Sequence, residues 1–189
     1  LMKIENLEMS DKEREMKTEV FQLIDGRDFG GLQDFLEKLT PEEAIRLPLY
    51  YDEKDKGRNL IHKCTHLCLQ LMLEDIISGY RKGAMRFLHE ENNTSPEIRR
   101  KNREMVHKDC GAWIDSPTLC EYGFYPIHYA CYSGDMDIVR ILIRNGGKVD
   151  VVNKLGLSPM HVAALGDKAH PTAYLYENGL SVDAPDNSG

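Results

Sequence analysis

His62, Cys64, His66 and Cys68 alternate over seven residues and form the densest set of metal-ligating side chains in the sequence. A structural zinc ion needs four such groups converging in a tetrahedron. On a helix, His62 and His66 share one face while Cys64 and Cys68 share another. The four then do not converge, so the reading is structural and no metal is expected. Cys110 and Cys120 offer thiols, but no strongly basic partner is evident near Cys120 to lower its pKa. No G-x-x-x-x-G-K-[ST], G-x-S-x-G or H-E-x-x-H occurs, so no catalytic residue and no cofactor is assigned. Arg99, Arg100, Lys101, Arg103, His107 and Lys108 form a basic cluster able to meet an acidic partner or anionic lipid. The plainer reading of that run is a solvated helix face.

The elements that must position these residues belong to an ordinary globular chain. Its 189 residues are 41% hydrophobic and 29% charged, with a net charge of −7. The acidic balance argues against a general nucleic-acid binder. Apolar runs are too short to span a bilayer, and Leu1 to Met9 carry Lys3, Glu5 and Glu8, unlike a signal peptide. Five cysteines with no C-x-x-C spacing read as free thiols in a reducing compartment. Asn92-Asn93-Thr94 and Asn93-Thr94-Ser95 fit glycosylation acceptors, a reading given little weight without a secretory signal.

The C-terminal third repeats itself. Gly123, Pro126, His128, Ala130, Asn145, Gly146, Val149 and Asp150 each recur 33 residues later, as Gly156, Pro159, His161, Ala163, Asn178, Gly179, Val182 and Asp183. Pro126 and Pro159 suit the first position of a helix, where a missing N–H costs nothing. Ala130 and Ala163 allow paired helices to approach closely. Ile138, Val139, Ile141 and Leu142 make the apolar stripe of a second helix. Gly146 and Gly179 fit the left-handed residue that ends it. Each unit is a helix–turn–helix that cannot bury its apolar face alone, so units must stack.

The same opening appears upstream at Gly57-Arg58-Asn59-Leu60-Ile61-His62, two periods before Gly123, without a clean unit between. Residues 57–122 read as one unit with an enlarged second helix and a helical insert over 66–110; two degenerate units are the alternative. Residues 19–56 read as an atypical capping pair and 1–18 as an N-terminal extension. Residues 123–155 and 156–188 are regular units, and Gly189 would open another. First helices are expected near Asn59, Pro126 and Pro159, and second helices near Met136 and Pro171.

Gly123-Phe-Tyr-Pro-Ile-His-Tyr-Ala-Cys131 and Gly156-Leu-Ser-Pro-Met-His-Val-Ala-Ala164 resemble the ankyrin opening G-x-T-P-L-H-x-A-A. The resemblance implies an all-α ankyrin solenoid with short hairpin loops. It also implies that His62, His128 and His161 are structural hydrogen-bonders between units, while Pro126 and Pro159, at the helix starts, belong to the same structural motif. Ankyrin domains bind partner proteins at hairpin tips and along the concave face. By alignment those positions are Glu121, Tyr122, Phe124, Tyr132 and Ser133, then Lys154, Leu155, Leu157 and Leu165. The alternative for Phe124 and Leu157 is packing against the adjacent hairpin. The last unit, with Gly166 one residue early and Ala173-Tyr-Leu-Tyr-Glu-Asn-Gly179, looks like the ankyrin segment of unicellular-eukaryote DHHC palmitoyltransferases.

The expected function is therefore a monomeric protein-interaction module that recruits a partner or substrate peptide to a membrane-bound S-palmitoyltransferase. The expected location is cytosolic, on a parent in an endomembrane such as the Golgi. Any membrane contact would come through regions outside this chain, and none with nucleic acid is expected. A scaffold or adaptor in signalling or a ubiquitin ligase, and the cytosolic part of an ion channel, are the alternatives.

Overall fold

Ser10, Asp28 and Thr40 begin the first three helices by capping them, each side chain accepting the backbone N–H three residues on. In this computed structural model, which describes residues 8–91 and 95–177, they open α1 (Asp11–Asp25), α2 (Phe29–Lys38) and α3 (Pro41–Ala44). Thr40 and Glu43 complete a reciprocal capping box, with Pro41 in the first turn. A two-residue antiparallel ladder follows, β1 (Tyr51–Asp52) on β2 (Arg58–Asn59), pairing Tyr51 with Asn59. The helical remainder is α4 (Leu60–His66), α5 (Gln70–Glu91), α6 (Pro96–Ile114), α7 (Pro126–Ser133), α8 (Met136–Arg144), α9 (Pro159–Leu165) and α10 (Ala169–Glu177).

These helices stack in two rows. The first helices α4, α7 and α9 pack side by side, and α8 lies between α5 and α10 in the second row. One continuous core runs through the stack, from Val20 and Ile24 through Leu60, Ile76 and Trp113 to Ile138 and Leu175. The ammonium of Lys63, nearly buried on α4, binds Asp25 (3.3 Å), Asp52 (3.3 Å) and Asp55 (2.6 Å). It thereby ties α1 and the hairpin to the first helix of the stack. Among the described residues no helix is long and apolar enough to cross a membrane.

Helices α7, α9 and α8 start at Pro126, Pro159 and Met136, and Asn59 caps α4. The last helix starts at Ala169, two residues before Pro171. The proline is tolerated because first-turn N–H groups have no partner inside the helix. Helix α1 runs unbroken through position 18, where the extension was expected to end. Gly179, the acceptor residues Asn92 to Thr94, and everything expected beyond 177 lie outside the described residues.

The insert differs most from a regular unit. Helix α5 has 22 residues and α6 has 19, against nine in α8. At 1.5 Å per residue α5 is about 33 Å long and α8 about 14 Å. Ser95 caps α6 and Pro96 is its first residue. Its first half is almost wholly exposed, while Val106, Cys110, Trp113 and Ile114 bury its second half.

One left-handed slot recurs. Gly134 closes α7 at φ 77°, and Cys68 and Asp167, 66 residues before and 33 after it, share the conformation at φ 57° and 52°. Gly166 is right-handed, and a Cβ there would meet the Tyr132 carbonyl at 2.6 Å. The early glycine of the last unit is thus needed for close approach, and Asp167 carries the left-handed strain. Asp167→Gly should raise stability by about 0.5–1 kcal/mol in a thermal melt. A lower Tm would show that the aspartate side chain contributes more than its strain costs.

Candidate functional site

Each repeat presents a hairpin tip and the open side of its first helix, and the histidines hold these in register. The His62 Nδ1 accepts the Asn59 N–H (3.0 Å) while Nε2–H donates to the Phe124 carbonyl of the next hairpin (3.1 Å). His128 does the same one unit on, from the Tyr125 N–H (3.0 Å) to the Leu157 carbonyl (2.8 Å). In His161, Nδ1 accepts the Ser158 N–H (3.0 Å). Because Nδ1 accepts, the single ring proton sits on Nε2 in His62 and His128, and both rings are neutral. Burial pushes His62 down to about 3, against the hydrogen bonds to the Ser116 and Phe124 backbone. It pushes His128 down to about 4, against those to Leu157 and Tyr125. The tips are joined directly as well, Leu119 N–H to Gly57 O (3.0 Å) and Lys154 N–H to Tyr122 O (3.0 Å).

This ladder accounts for the H-x-C-x-H-x-C stretch. Both nitrogens of His62 are spent on backbone, and α4 ends at His66, so Cys68 lies in the turn and not on the helix. Among the described residues no group of three or more His, Cys, Asp or Glu could hold a metal ion.

Cys120 differs from expectation. It occupies the slot that Asn153 fills in the next hairpin, where Asn153 Oδ1 accepts the Leu155 and Leu157 N–H groups (3.0 and 2.9 Å). Burial raises the Cys120 thiol. The Thr118 hydroxyl, the Gly123 and Tyr122 amides and the Lys56 charge outweigh this and bring it below the ordinary value. A basic group is thus nearby, 64 residues away in sequence, where no local reading finds it. The sulfur serves as a turn acceptor.

The expected contact residues divide in two. Tyr122 and Leu155 at the tips are 44% and 42% exposed, and Tyr132 and Leu165 on the first helices 59% and 70%. Glu121 and Lys154 are exposed beside them. Phe124, Leu157 and Ser133 are placed otherwise. The Phe124 ring stands edge-on to His128 (5.7 Å) and tilts against Tyr129 (6.1 Å). Leu157 uses both backbone groups on its own hairpin and on His128. The Ser133 hydroxyl donates to the Ala130 carbonyl (3.0 Å). All three are half-buried.

Tyr132, Ser133 and Leu165 line one side of a shallow groove of about 460 Å³ with His66, Tyr129 and the turn Gly166 to Lys168. Leu119 and Val152, both exposed at the tips and 33 residues apart, form a further repeated apolar pair. Sequence reasoning missed them, although the repeat step that paired Tyr122 with Leu155 pairs them too.

The family model described as ankyrin repeats (3 copies) matches residues 86–186, just over half the chain. Among curated proteins, rat transient receptor potential cation channel subfamily V member 5 is 22% identical over 148 residues, 77% of this chain and 20% of the channel. Rat member 6 is 21% identical over 161 residues, 84% of this chain and 21% of the channel. Human Notch-regulated ankyrin repeat-containing protein is 24% identical over 94 residues, 43% of this chain and 82% of that protein. The chain spans about a fifth of the length of the channels it matches. With two stacked helix rows, histidines linking successive hairpins and a family match over residues 86–186, the chain belongs to the ankyrin-repeat family.

Proposed function

We propose that this chain is a protein-interaction module that holds an extended segment of a partner against the first-helix row and does no chemistry itself. One observation carries the reading. Solvent-exposed apolar side chains recur at the same register in successive repeats, as Leu119 and Val152, Tyr122 and Leu155, and Tyr132 and Leu165. Isolated apolar residues are normal on a surface, but a contiguous row of them marks a contact site. Rigid tyrosines there give contact area at low entropy cost, and a solenoid lets a flexible segment follow it.

The test is calorimetry with segments selected on the wild-type chain from a display library of twelve-residue peptides. Replacing one anchor, such as Tyr132, with alanine should cost about 1–3 kcal/mol of binding with the fold intact. Equal affinity for wild type and a Tyr122/Tyr132/Leu155 triple alanine variant, with unchanged melting, would move the site elsewhere.

The setting of the module is a separate matter. The palmitoyltransferase setting rests on the form of the last repeat alone. The similarity to two cation channels over 77% and 84% of this chain supports the ion-channel setting instead. Cloning the full transcript decides the setting: six spans with a pore loop select the channel, a D-H-H-C motif between span pairs selects the acyltransferase, and no membrane segment selects the scaffold or adaptor.

A further inference from the structure

Charge is unevenly divided along this chain. Residues 81–108 hold eight Lys and Arg against four Asp and Glu, and the remainder holds 16 against 27. The basic stretch lies on α5 and α6, on the second-helix side, away from the hairpin tips and the Tyr132 groove. A second groove, of about 370 Å³, runs there between α5 and α8. Ile77, Met85 and Ile141 line it with apolar surface, and Arg81, Lys82 and Arg144 stand around it.

The acidic residue of that rim, Glu74, lies 3.9 Å from Arg144 with both side chains well exposed. Such a pair holds together weakly in water. One Arg81 guanidinium nitrogen, Nη2, reaches His107 Nδ1 on α6 (3.0 Å), so α6 borders the cationic rim. The Arg81 Nε–H finds no acceptor. Three cations therefore surround an apolar floor with one loosely held carboxylate among them.

We propose that this outer groove docks a short acidic segment of a partner protein. An apolar side chain of that segment covers Ile77, Met85 and Ile141, and its carboxylates meet Arg81, Lys82 and Arg144. Charge complementarity selects the occupant. An anionic membrane or a nucleic acid extends over tens of ångströms and would also face the strongly acidic remainder of the molecule. A short segment stays within about a Debye length, ~8 Å in physiological salt, of the basic rim and avoids that repulsion. The groove is also concave, which suits a side chain and not a flat surface.

The probe is a fluorescein-labelled peptide of six residues, Leu-Glu-Asp twice, about 20 Å at full extension so that its ends stay within about a Debye length of the rim, followed by anisotropy on the full chain. Charge reversal at the rim, Lys82→Glu with Arg144→Glu, is expected to weaken binding by about tenfold or more. This pair leaves the Arg81–His107 contact in place, and a thermal melt checks its fold. Met85→Ser should also weaken binding, because it removes apolar surface from the floor without changing the charge. Arg99→Glu with Arg100→Glu, on the exposed start of α6, should change affinity by about twofold at most. The Tyr122/Tyr132/Leu155 alanine variant should bind the probe as wild type does, which separates this groove from the first-helix site. Absence of binding by wild type overturns the proposal. So does equal loss in the Arg99/Arg100 variant, which would mean diffuse attraction. Tighter binding to phosphatidylserine vesicles or a thirty-nucleotide DNA strand, lost on the same reversal, would reassign the patch and overturn it too.

Discussion

Replacing Trp113 with alanine is expected to destabilise this chain by about 3–5 kcal/mol, the range for removing a large buried aromatic. Trp113 is fully buried in the last turn of α6 and packs edge-to-face on Tyr80 of α5 (ring centroids 5.2 Å apart, planes at 61°). Its indole N–H has no hydrogen-bond partner, so the loss is apolar contact and the ring pair, with no donor left behind. The consequence for α6 exceeds that for the average because its first half is exposed and cannot hold the helix in place. Val106, Cys110 and Ile114 are the other buried anchors, and they sit around the void the alanine leaves. Urea unfolding followed by circular dichroism measures the effect, since the chain has one tryptophan and its fluorescence goes with it. Hydrogen exchange should show α6 amides opening before those of α7 and α8. A loss below about 1 kcal/mol would mean that the site collapses around the gap or that α6 adds little to the core.

Acid should unfold the stack well above the pH at which its carboxylates protonate. His62 and His128 are pushed down to about 3 and about 4, chiefly by burial, from an unfolded value of about 6.5. A base whose folded pKa is depressed contributes its full stability above the unfolded value. That stability is lost as pH falls from about 6.5 toward the folded values, because the unfolded chain binds the protons first. Each histidine costs about 2 kcal/mol on going from pH 7 to pH 5, so the pair costs about 4 kcal/mol. Protonation also breaks the ladder, since a doubly protonated ring cannot accept the Asn59 or Tyr125 N–H. Unfolding free energies from urea titrations between pH 7.5 and 4.5 test this. His128→Gln should lower the midpoint stability and remove about half of the slope. An unchanged slope in that variant would place the acid sensitivity in other groups.

The readable parts of this protein were those set by residues close in sequence. Pro126 and Pro159 mark helix starts because a proline ring and a missing N–H suit the first turn, whatever surrounds them. Gly57, Gly123, Gly134, Gly146 and Gly156 mark the turns because each takes a positive φ that other residues adopt only with strain. Repeated at one period, these local preferences specified the stack before any contact was known. The exposed tips were legible for the same reason, since the repeat step fixes which positions of each unit face solvent.

Tertiary structure decided what distant residues do to one another. Whether Phe124 and Leu157 face a partner or the next hairpin depends on where His62 and His128 reach across the repeat boundary. Lys56 meets Cys120 only because two hairpin tips stack, and the amides around the sulfur follow the turn's path and not its composition. The early glycine at 166 has its reason in the carbonyl of Tyr132, one repeat away. The outer groove exists because packing sets α5 beside α8 and brings Arg81 and Lys82 to the same rim as Arg144. Local preference is a property of a few consecutive residues. Burial, close approach and electrostatic neighbourhood are sums over atoms brought together by packing, and the order of residues along the chain does not state them.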